Sequence, residues 1–476
     1  MVKPTAEVEF GLSVAQPVRK AADVPAFGSS STPLSESIWL QDWRALREGL
    51  PAQTKRPLPP SCDVAIVGAG LTGLTTALRL AQAGRSVIVL EAESAGSGAS
   101  LRNAGFCTSS APFSVKAAIN RHGIERGQDL LRWFFGGPDQ VRALLGELGE
   151  KDVLEDATRL VLADTAMQAQ QLRAECEALN EVLVPLGRKL EYLTGEALRE
   201  HIGFGEFQGA LRDPISACVN PARLVAALLH ACEGLGVRLL EQTRVSRIKA
   251  ALDGAGGWRL QHTQGELTAP RVVLATNGYS TGLGVGSNRL VVPVGSYIVA
   301  SHPLEPHAVQ QFGANPTVFS TSGRFPNYFR LVTDAVTGSA RLLFGGRRSL
   351  CYESSPQRVA TELLEDARRV LPGVPFNVER AWGGRLAFTA HREPQMGEIE
   401  SGLYFAGGCC GHGVPTSIAC ANALASVLLE KADAPPVFYR RKLSRSFAMA
   451  AASKLLPLIG TYYRARDRLD ALRVTR

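Results

Sequence analysis

The stretch from Asp63 to Glu91, DVAIVGAGLTGLTTALRLAQAGRSVIVLE, constrains the fold of this chain more than any other. Val64 to Val67 are a short apolar run suited to a parallel strand covered on both faces. Gly68, Gly70 and Gly73 follow with G-x-G-x-x-G spacing. The first glycine permits a tight turn, the second lets backbone approach a pyrophosphate, and the third lets the helix pack on the strand. Leu71, Leu74 and Leu78 share one face of the predicted helix, and Gly84 stands where a C-terminal cap is expected. Val87 to Leu90 form a second strand, and Glu91 falls where a carboxylate accepts hydrogen bonds from a ribose. Strand, glycine turn, helix, strand and terminal acid in that order predict a dinucleotide site whose diphosphate sits on the helix N-terminus.

A later segment repeats this grammar. Leu403 to Ala406 predict a short strand closed by GGCCGHGV, and a helix follows in PTSIACANALASVLLEK. A second positive helix end is therefore aimed at the carboxyl edge of the sheet, where α/β proteins bind ligands. Between the two loops, Asn220 and Pro221 read as N-cap and first residue of a helix, PARLVAALLHACEGLG, that leads into another strand of the parallel sheet. RVVLAT from Arg271 reads as one more buried strand, and WRLQHT with GELTA as a hairpin after a turn at Asp253 to Gly257. The segment from Arg121 to Glu200 reads as mostly helical. RLVVPVGSYIVAS, NYFRLV and ARLLFGGRR are rich in β-branched and aromatic residues and predict a largely antiparallel sheet between about 290 and 375, a second domain. TELLEDARRVLPG then reads as a helix.

A chain of 476 residues exceeds one simple core, so two or three domains are expected. Its net charge of +8 is local: from Pro436 onward ten Lys and Arg face two Asp, a surplus equal to the whole excess. The body is therefore near neutral, which argues against nucleic-acid binding. Nine scattered cysteines without C-x-x-C spacing favour free thiols in a reducing compartment. With no apolar signal core and no apolar run of membrane length, a cytoplasmic location is expected. Residues 1–60 read as an irregular arm in which Ser37 to Leu46 form one helix whose Trp39 and Trp43 pin it to the body, and prolines 57, 59 and 60 make a stiff lead. The tail KLLPLIGTYYRARDRLDALR reads as a docked terminal helix, with a membrane-surface helix as the alternative.

The order GAGLTGL, Glu91, SGASLRN, VVLATNGYS, WGGRLAFTAHREPQMG and AGGCCGHGV resembles the D-amino-acid oxidase superfamily of FAD-dependent oxidoreductases, and within it the γ-glutamylputrescine oxidoreductase-like amine oxidases. The likeness runs from about residue 37 to the basic tail. It implies an α/β architecture: a Rossmann-like FAD domain from 61–140, 212–285 and 380–434, and a substrate domain from 141–211 and 286–379, with the tail at 435–476. It further implies FAD on Gly68, Gly70, Leu71, Thr72, Gly73, Glu91 and Ala92. Ser100, Arg102, Asn103, Ala104 and Gly105 would lie along the diphosphate and flavin. Val245, Thr276, Asn277 and Gly278 join the same site, and Gly408, Gly411, His412, Gly413 and Val414 sit by the pyrimidine end of the ring. A helix N-terminus there would stabilise the charge that reduced flavin gathers.

Where relatives often read G-R-N-G-G-Q, this chain has Leu101, Arg102, Asn103, Ala104, Gly105 and Phe106, so a bulkier, less polar wall is expected. Cys409 and Cys410 are read as core or loop thiols rather than flavin attachment points. His412, Tyr328, Arg330 and His391 are the candidate catalytic residues, and Arg347, Arg348 and Arg392 are further candidates for substrate contact. The expected reaction oxidises a C–N bond of an amine or amino acid by hydride transfer to flavin, with O2 or another acceptor taking the electrons; no metal is required. A dehydrogenase or biosynthetic desaturase is the alternative, and a non-catalytic flavin redox sensor a third reading. A monooxygenase is disfavoured because no late G-D motif occurs.

Overall fold

The computed structural model describes residues 36–48, 59–251, 256–280, 282–323, 325–334, 337–346, 350, 356–431, 438–449, 451–452, 455–456, 458 and 460–462. Residues 1–35 of the arm, Pro57, the head of the Asp253–Gly257 turn, Arg347, Arg348 and the tail beyond 462 lie outside them.

The opening motif folds as its sequence dictates. Val64–Val67 is a strand, Leu71–Gln82 a helix, and Val87–Leu90 a second strand paired in parallel with the first. Gly84 takes φ of +76°, where a left-handed cap favours glycine. These strands sit within a seven-stranded sheet ordered Tyr439–Arg440, Gln395–Glu400, Leu403–Gly407, Arg271–Leu274, Val64–Val67, Val87–Leu90 and Arg238–Leu240. From Leu403–Gly407 to Arg238–Leu240 all neighbours run parallel. The register pairs Val67 with both Leu90 and Leu274, and Leu274 with Phe405. The loops after four strands therefore emerge side by side at one edge. Both faces of the sheet are covered, which is why its strands are apolar throughout. Val64 and Ile66 join the core under the helices Leu71–Gln82, Pro221–Gly234 and Gly413–Leu428. Ala65 and Val67 pack toward a three-stranded antiparallel sheet that includes the expected hairpin, Trp258–His262 with Gly265–Ala269. Asn220 caps Pro221–Gly234 as expected, its Oδ1 accepting from the N–H of Ala222 at 2.9 Å and of Arg223 at 3.2 Å.

The second sheet has nine strands and is larger than the sequence suggested. Val292–Ser301, Tyr328–Thr333, Ala340–Gly346 and Val378–Phe388 pair antiparallel. The Arg121–Glu200 stretch, read as mostly helical, is interrupted by the ten-residue strand Leu154–Ala163, which pairs parallel with Thr317–Thr321 and antiparallel with Gly209–Val219. Its leucines and alanines fit a helix locally, and only the alternation of Ala157, Arg159 and Val161 against Leu160 and Leu162 marks a strand. Domain boundaries at 212 and 380 each fall inside a strand of this sheet, Gly209–Val219 and Val378–Phe388. One face packs Phe319, Phe329 and Phe344 under the helix Pro356–Val370, with Phe319 and Phe329 stacked at 5.0 Å. The opposite face looks onto a cavity shared with the glycine loops.

Trp39–Glu48 is helical, with Trp39 and Trp43 buried in the core that also holds Leu224 and Leu228. In the tail, Met449, Ala452 and Leu456 pack on Val292, Val294 and Phe388. Among the described residues no helix is long and apolar enough to cross a membrane.

Candidate active site

The first glycine loop is shaped by contacts that a side chain would destroy. A Cβ on Gly68, whose φ is +105°, would lie 2.8 Å from the Ala275 carbonyl oxygen, and one on Gly73 would overlap the carbonyl oxygen of Gly68. The turn is thus pressed between the next strand's exit and its own helix. The first intrahelical bond runs from Leu74 N–H to the Gly70 carbonyl at 2.9 Å, so the preceding N–H groups point out of the helix end. Ser100 Oγ accepts from the N–H of Leu71 at 3.1 Å, bringing the second loop against this helix end. Glu91 accepts from the N–H of Ala69 at 2.8 Å and of Glu93 at 3.0 Å. Burial nevertheless pushes its carboxyl above the ordinary range, and these bonds only partly oppose that.

Residues 97–106 are held by an arrangement that no local pattern announces. Four consecutive carbonyls each accept from a distant side chain: Leu101 from Ser37 Oγ at 2.6 Å, Arg102 from Trp382 Nε1 at 3.0 Å, Asn103 from Trp39 Nε1 at 2.8 Å, and Ala104 from Arg330 Nε at 2.8 Å. Arg102 in turn donates to the carbonyls of Ser97 at 2.9 Å and Gly383 at 3.1 Å. The loop is therefore clamped between the arm helix and two strands of the nine-stranded sheet. Leu101 does not form the bulky wall expected of it: it is fully buried, its side chain among Gly96 and Val225. The turn Ala99–Leu101 directs it into the core, whereas Phe106 does face the cavity.

The second glycine loop meets the first through Asn277. That residue takes φ of +43°, and its Oδ1 accepts from the N–H of Gly408 at 3.0 Å. Cys410 is also left-handed, φ +51°, held by its N–H to the Ala387 carbonyl at 3.1 Å. Non-glycine residues in this region are strained and gather at functional sites. The helix Gly413–Leu428 starts immediately afterwards with His412 at its N-cap. Cys409 is buried, and desolvation pushes its thiol up to about 12, so it stays protonated at neutral pH.

These loops and the open face of the nine-stranded sheet enclose one cavity of about 2000 Å³. Drug-sized ligands occupy about 300–1,000 Å³, so this volume accommodates a dinucleotide and a substrate together. All the expected cofactor residues line it except Gly73, Gly105, Gly278 and Gly408. These four lie behind the wall, where a Cβ would strike Gly68, Val219, Leu386 and Thr389 respectively. On the sheet side Tyr328 lines the cavity. Its hydroxyl shares a hydrogen bond with Ser296 Oγ at 2.9 Å and its ring meets Phe106 edge-on at 5.9 Å. Gly345, paired with Tyr328, makes room for the ring, since a Cβ there would overlap it.

Two other candidates stand elsewhere. Arg330 is 5% exposed and is consumed by backbone, with Nε on Ala104 and Nη2 on the Val219 carbonyl at 3.1 Å, so it positions the loop. His391 is exposed and off the cavity lining, its carbonyl accepting from Arg121, while its neighbour Arg392 does reach the cavity. Sequence reading missed Ser296 and Arg159, both of which line the cavity from strand positions. The signal for Arg159 was a lone charge in alternation with Ala157 and Val161.

The donor set fits FAD: two helix N-termini at one sheet edge, an acid at the second strand end, and a glycine turn whose packing leaves no space for a Cβ at Gly68 or Gly73. The sequence matches the FAD dependent oxidoreductase (DAO) family over residues 63–427, more than half of its length. The chain belongs to this family. This DAO-family enzyme is 27% identical over 423 residues to the gamma-glutamylputrescine oxidoreductase of Escherichia coli (strain K12), covering 86% of this chain and 93% of that protein. It is 26% identical over 413 residues to the probable oxidoreductase OrdL of Haemophilus influenzae, covering 85% and 92%. The crystal structure of glycine oxidase from Geobacillus kaustophilus shares the fold, with a TM-score of 0.67 at 24% identity over 82% of this chain and 100% of that one. The DAO-family chain is therefore an FAD-dependent oxidoreductase.

Proposed function

We propose that this enzyme oxidises a C–N bond of an amine or amino acid, with the parallel-sheet part holding FAD and the nine-stranded sheet presenting the substrate. One observation carries the reading. The residues that the nine-stranded sheet contributes to the wall, Phe106, Arg159, Ser296, Val318 and Tyr328 among them, offer apolar, hydroxyl and cationic groups, and the carboxylates of the lining, Glu91, Glu93 and Glu175, come from other elements. Such a wall disfavours an ammonium, because desolvation and a nearby positive charge both lower the pKa of an amine. Only the uncharged amine has the lone pair that assists departure of hydride from the adjacent carbon. The gamma-glutamylputrescine oxidoreductase and glycine oxidase named above are relatives whose names fit this chemistry.

Bound FAD supplies a two-electron acceptor for that hydride. The chain supplies the rest. Tyr328 and Phe106 shape a dry surface over which a substrate carbon is oriented. The N-terminus of Gly413–Leu428 would offer positive potential to the negative charge that flavin gathers on reduction. The C–H bond breaks as a hydride leaves and the nitrogen lone pair closes to an iminium, which water hydrolyses to carbonyl and amine. Dioxygen is the proposed final acceptor, giving hydrogen peroxide.

Anaerobic titration of the yellow protein with amines and amino acids tests this. Bleaching of the flavin band, with peroxide on admitting air, is expected. Bleaching with slow reoxidation in air assigns a dehydrogenase, and failure of every amine to bleach the band overturns the reading.

A further inference from the structure

The tail carries two apolar stripes where a helix docked on a protein body needs one. Every described residue from 447 to 462 is helical. Met449, Ala452, Leu456 and Gly460, spaced by three, four and four, form the inner stripe. Met449, Ala452 and Leu456 pack on Val292, Val294 and Phe388 and line the cavity from that side. Phe447, Ala451, Leu455, Leu458 and Tyr462, spaced by four, four, three and four, form a second stripe that faces solvent. Phe447 is 71% exposed, Leu458 69%, Tyr462 56% and Leu455 49%. These are four of the ten large apolar side chains that the described residues expose, gathered within one short stretch. Docking on the body uses only the inner stripe, and a clustered apolar surface of this kind marks an interaction site.

The approach to the helix is fixed to the body. Leu443 N–H donates to the Glu398 carbonyl at 2.6 Å, Ser446 N–H to the Arg289 carbonyl at 3.2 Å, and Arg445 pairs with Glu400 at 2.9 Å. The Arg289 guanidinium lies over the exposed Phe447 ring at 3.9 Å. Arg440, Arg441 and Lys442 are exposed just ahead of the helix, and from Pro436 onward ten Lys and Arg stand against two Asp. An apolar stripe set in strong positive charge matches the boundary between acyl chains and anionic headgroups. A second copy of the chain fits it poorly, because pairing two such tails brings like charges together. Nucleic acid would meet the charge and leave the stripe in water. Among the described residues no helix is long and apolar enough to span, so the contact lies in the plane of the surface.

We propose that the tail is a membrane-surface anchor: its outer stripe enters the interface of an anionic bilayer while its inner stripe stays on the cavity wall, which sets that wall against the bilayer. The proposal does not rest on the C–N oxidation reading. FAD-loaded full-length protein is sedimented with vesicles of phosphatidylcholine alone and of phosphatidylcholine with about three-tenths phosphatidylglycerol. The mixed vesicles are expected to bind at least tenfold more tightly than the neutral ones, and that binding should fall at least tenfold between about 0.05 M and 0.5 M salt. Leu455→Glu combined with Leu458→Glu should weaken it at least tenfold with flavin content unchanged. Leu186→Glu combined with Leu235→Glu, the same change of net charge at exposed positions of the body, should leave it within twofold. A wild type that does not bind the mixed vesicles at low salt overturns the proposal. Equal loss in the two double variants also overturns it, since net charge alone would then be the cause. A wild-type dimer that the Leu455 and Leu458 variant dissociates, without vesicle binding, overturns it in favour of a second copy. Should the tail double variant not retain FAD, Leu458→Ser alone decides: threefold or greater weakening supports the anchor, and wild-type affinity overturns it.

Discussion

Replacing Arg330 by Met separates a positioning role from substrate contact. The guanidinium holds the Ala104 carbonyl at 2.8 Å and the Val219 carbonyl at 3.1 Å, and stacks 5.8 Å from the Trp39 ring centre. Hydrogen bonds to a charged group contribute about 1.5–3 kcal/mol each, and a buried acceptor left unpaired costs about 1–3 kcal/mol. Removing the charge relieves its own desolvation, so a net loss of about 2–4 kcal/mol is expected. Because the same bond clamps the loop beside the glycine turn, the variant should also bind FAD about tenfold more weakly, equivalent to about 1.4 kcal/mol. Urea unfolding of the flavin-free protein should give a lower midpoint at unchanged slope, and fluorescence titration should give the FAD affinity. Arg330→Lys should rescue neither, since one ammonium cannot reproduce a two-carbonyl fork. Unchanged stability and unchanged FAD affinity with a raised KM would refute the reasoning and return Arg330 to the substrate.

Gly73→Ala places a methyl on the Gly68 carbonyl oxygen and should yield protein without flavin, checked by the absorbance ratio after purification. Asp63 accepts from Ser86 N–H at 2.8 Å, which holds its carboxyl below the ordinary range. A lowered pKa means stability present above the unfolded value and lost as pH falls through the folded one. Asp63→Asn should therefore cost a few tenths to about 1 kcal/mol near neutrality at this exposed site, and the gap to wild type should begin to close below about pH 5 and go on closing as pH falls past the ordinary carboxylate pKa of about 3.9. With its thiol pushed up to about 12, Cys409 should resist iodoacetamide in the native protein at pH 8 and react after denaturation, as followed by peptide mass spectrometry. Labelling of Cys409 in the native state would contradict its burial.

What was legible in the sequence was what local rules determine. The turn at Gly68–Gly73, the acid at Glu91, the cap at Asn220 and the strand–loop–helix around Gly407 all follow from short-range sterics and hydrogen bonding, so residues a few positions apart suffice to predict them. Leu154–Ala163 was not legible because its leucines and alanines also suit a helix, and the pairing with Thr317–Thr321 that decides the matter lies far along the chain. Missing that strand concealed Arg159. Arg330 and Tyr328 are two residues apart on one strand and face the same way, yet one is sealed against carbonyls and the other lines the cavity. No spacing rule distinguishes them, since the difference is made by a loop more than two hundred residues earlier.

The clamp on Leu101–Ala104 shows why the proposed cofactor wall draws on so much of the chain. A loop of small residues can lie close to a flat, charged ligand only if it lacks bulky side chains, and without them it has little apolar surface to fix itself. Its carbonyls are what remain to be held. Trp39 comes from the arm helix and Ser37 from the residues just before it, Arg330 and Trp382 come from two strands of the second sheet, and each bonds one carbonyl in turn. The smallness that suits the loop to FAD thus requires support from outside the parallel sheet. That requirement binds the arm helix and the nine-stranded sheet to the proposed cofactor wall and makes the order of the loop depend on residues far from it in the chain.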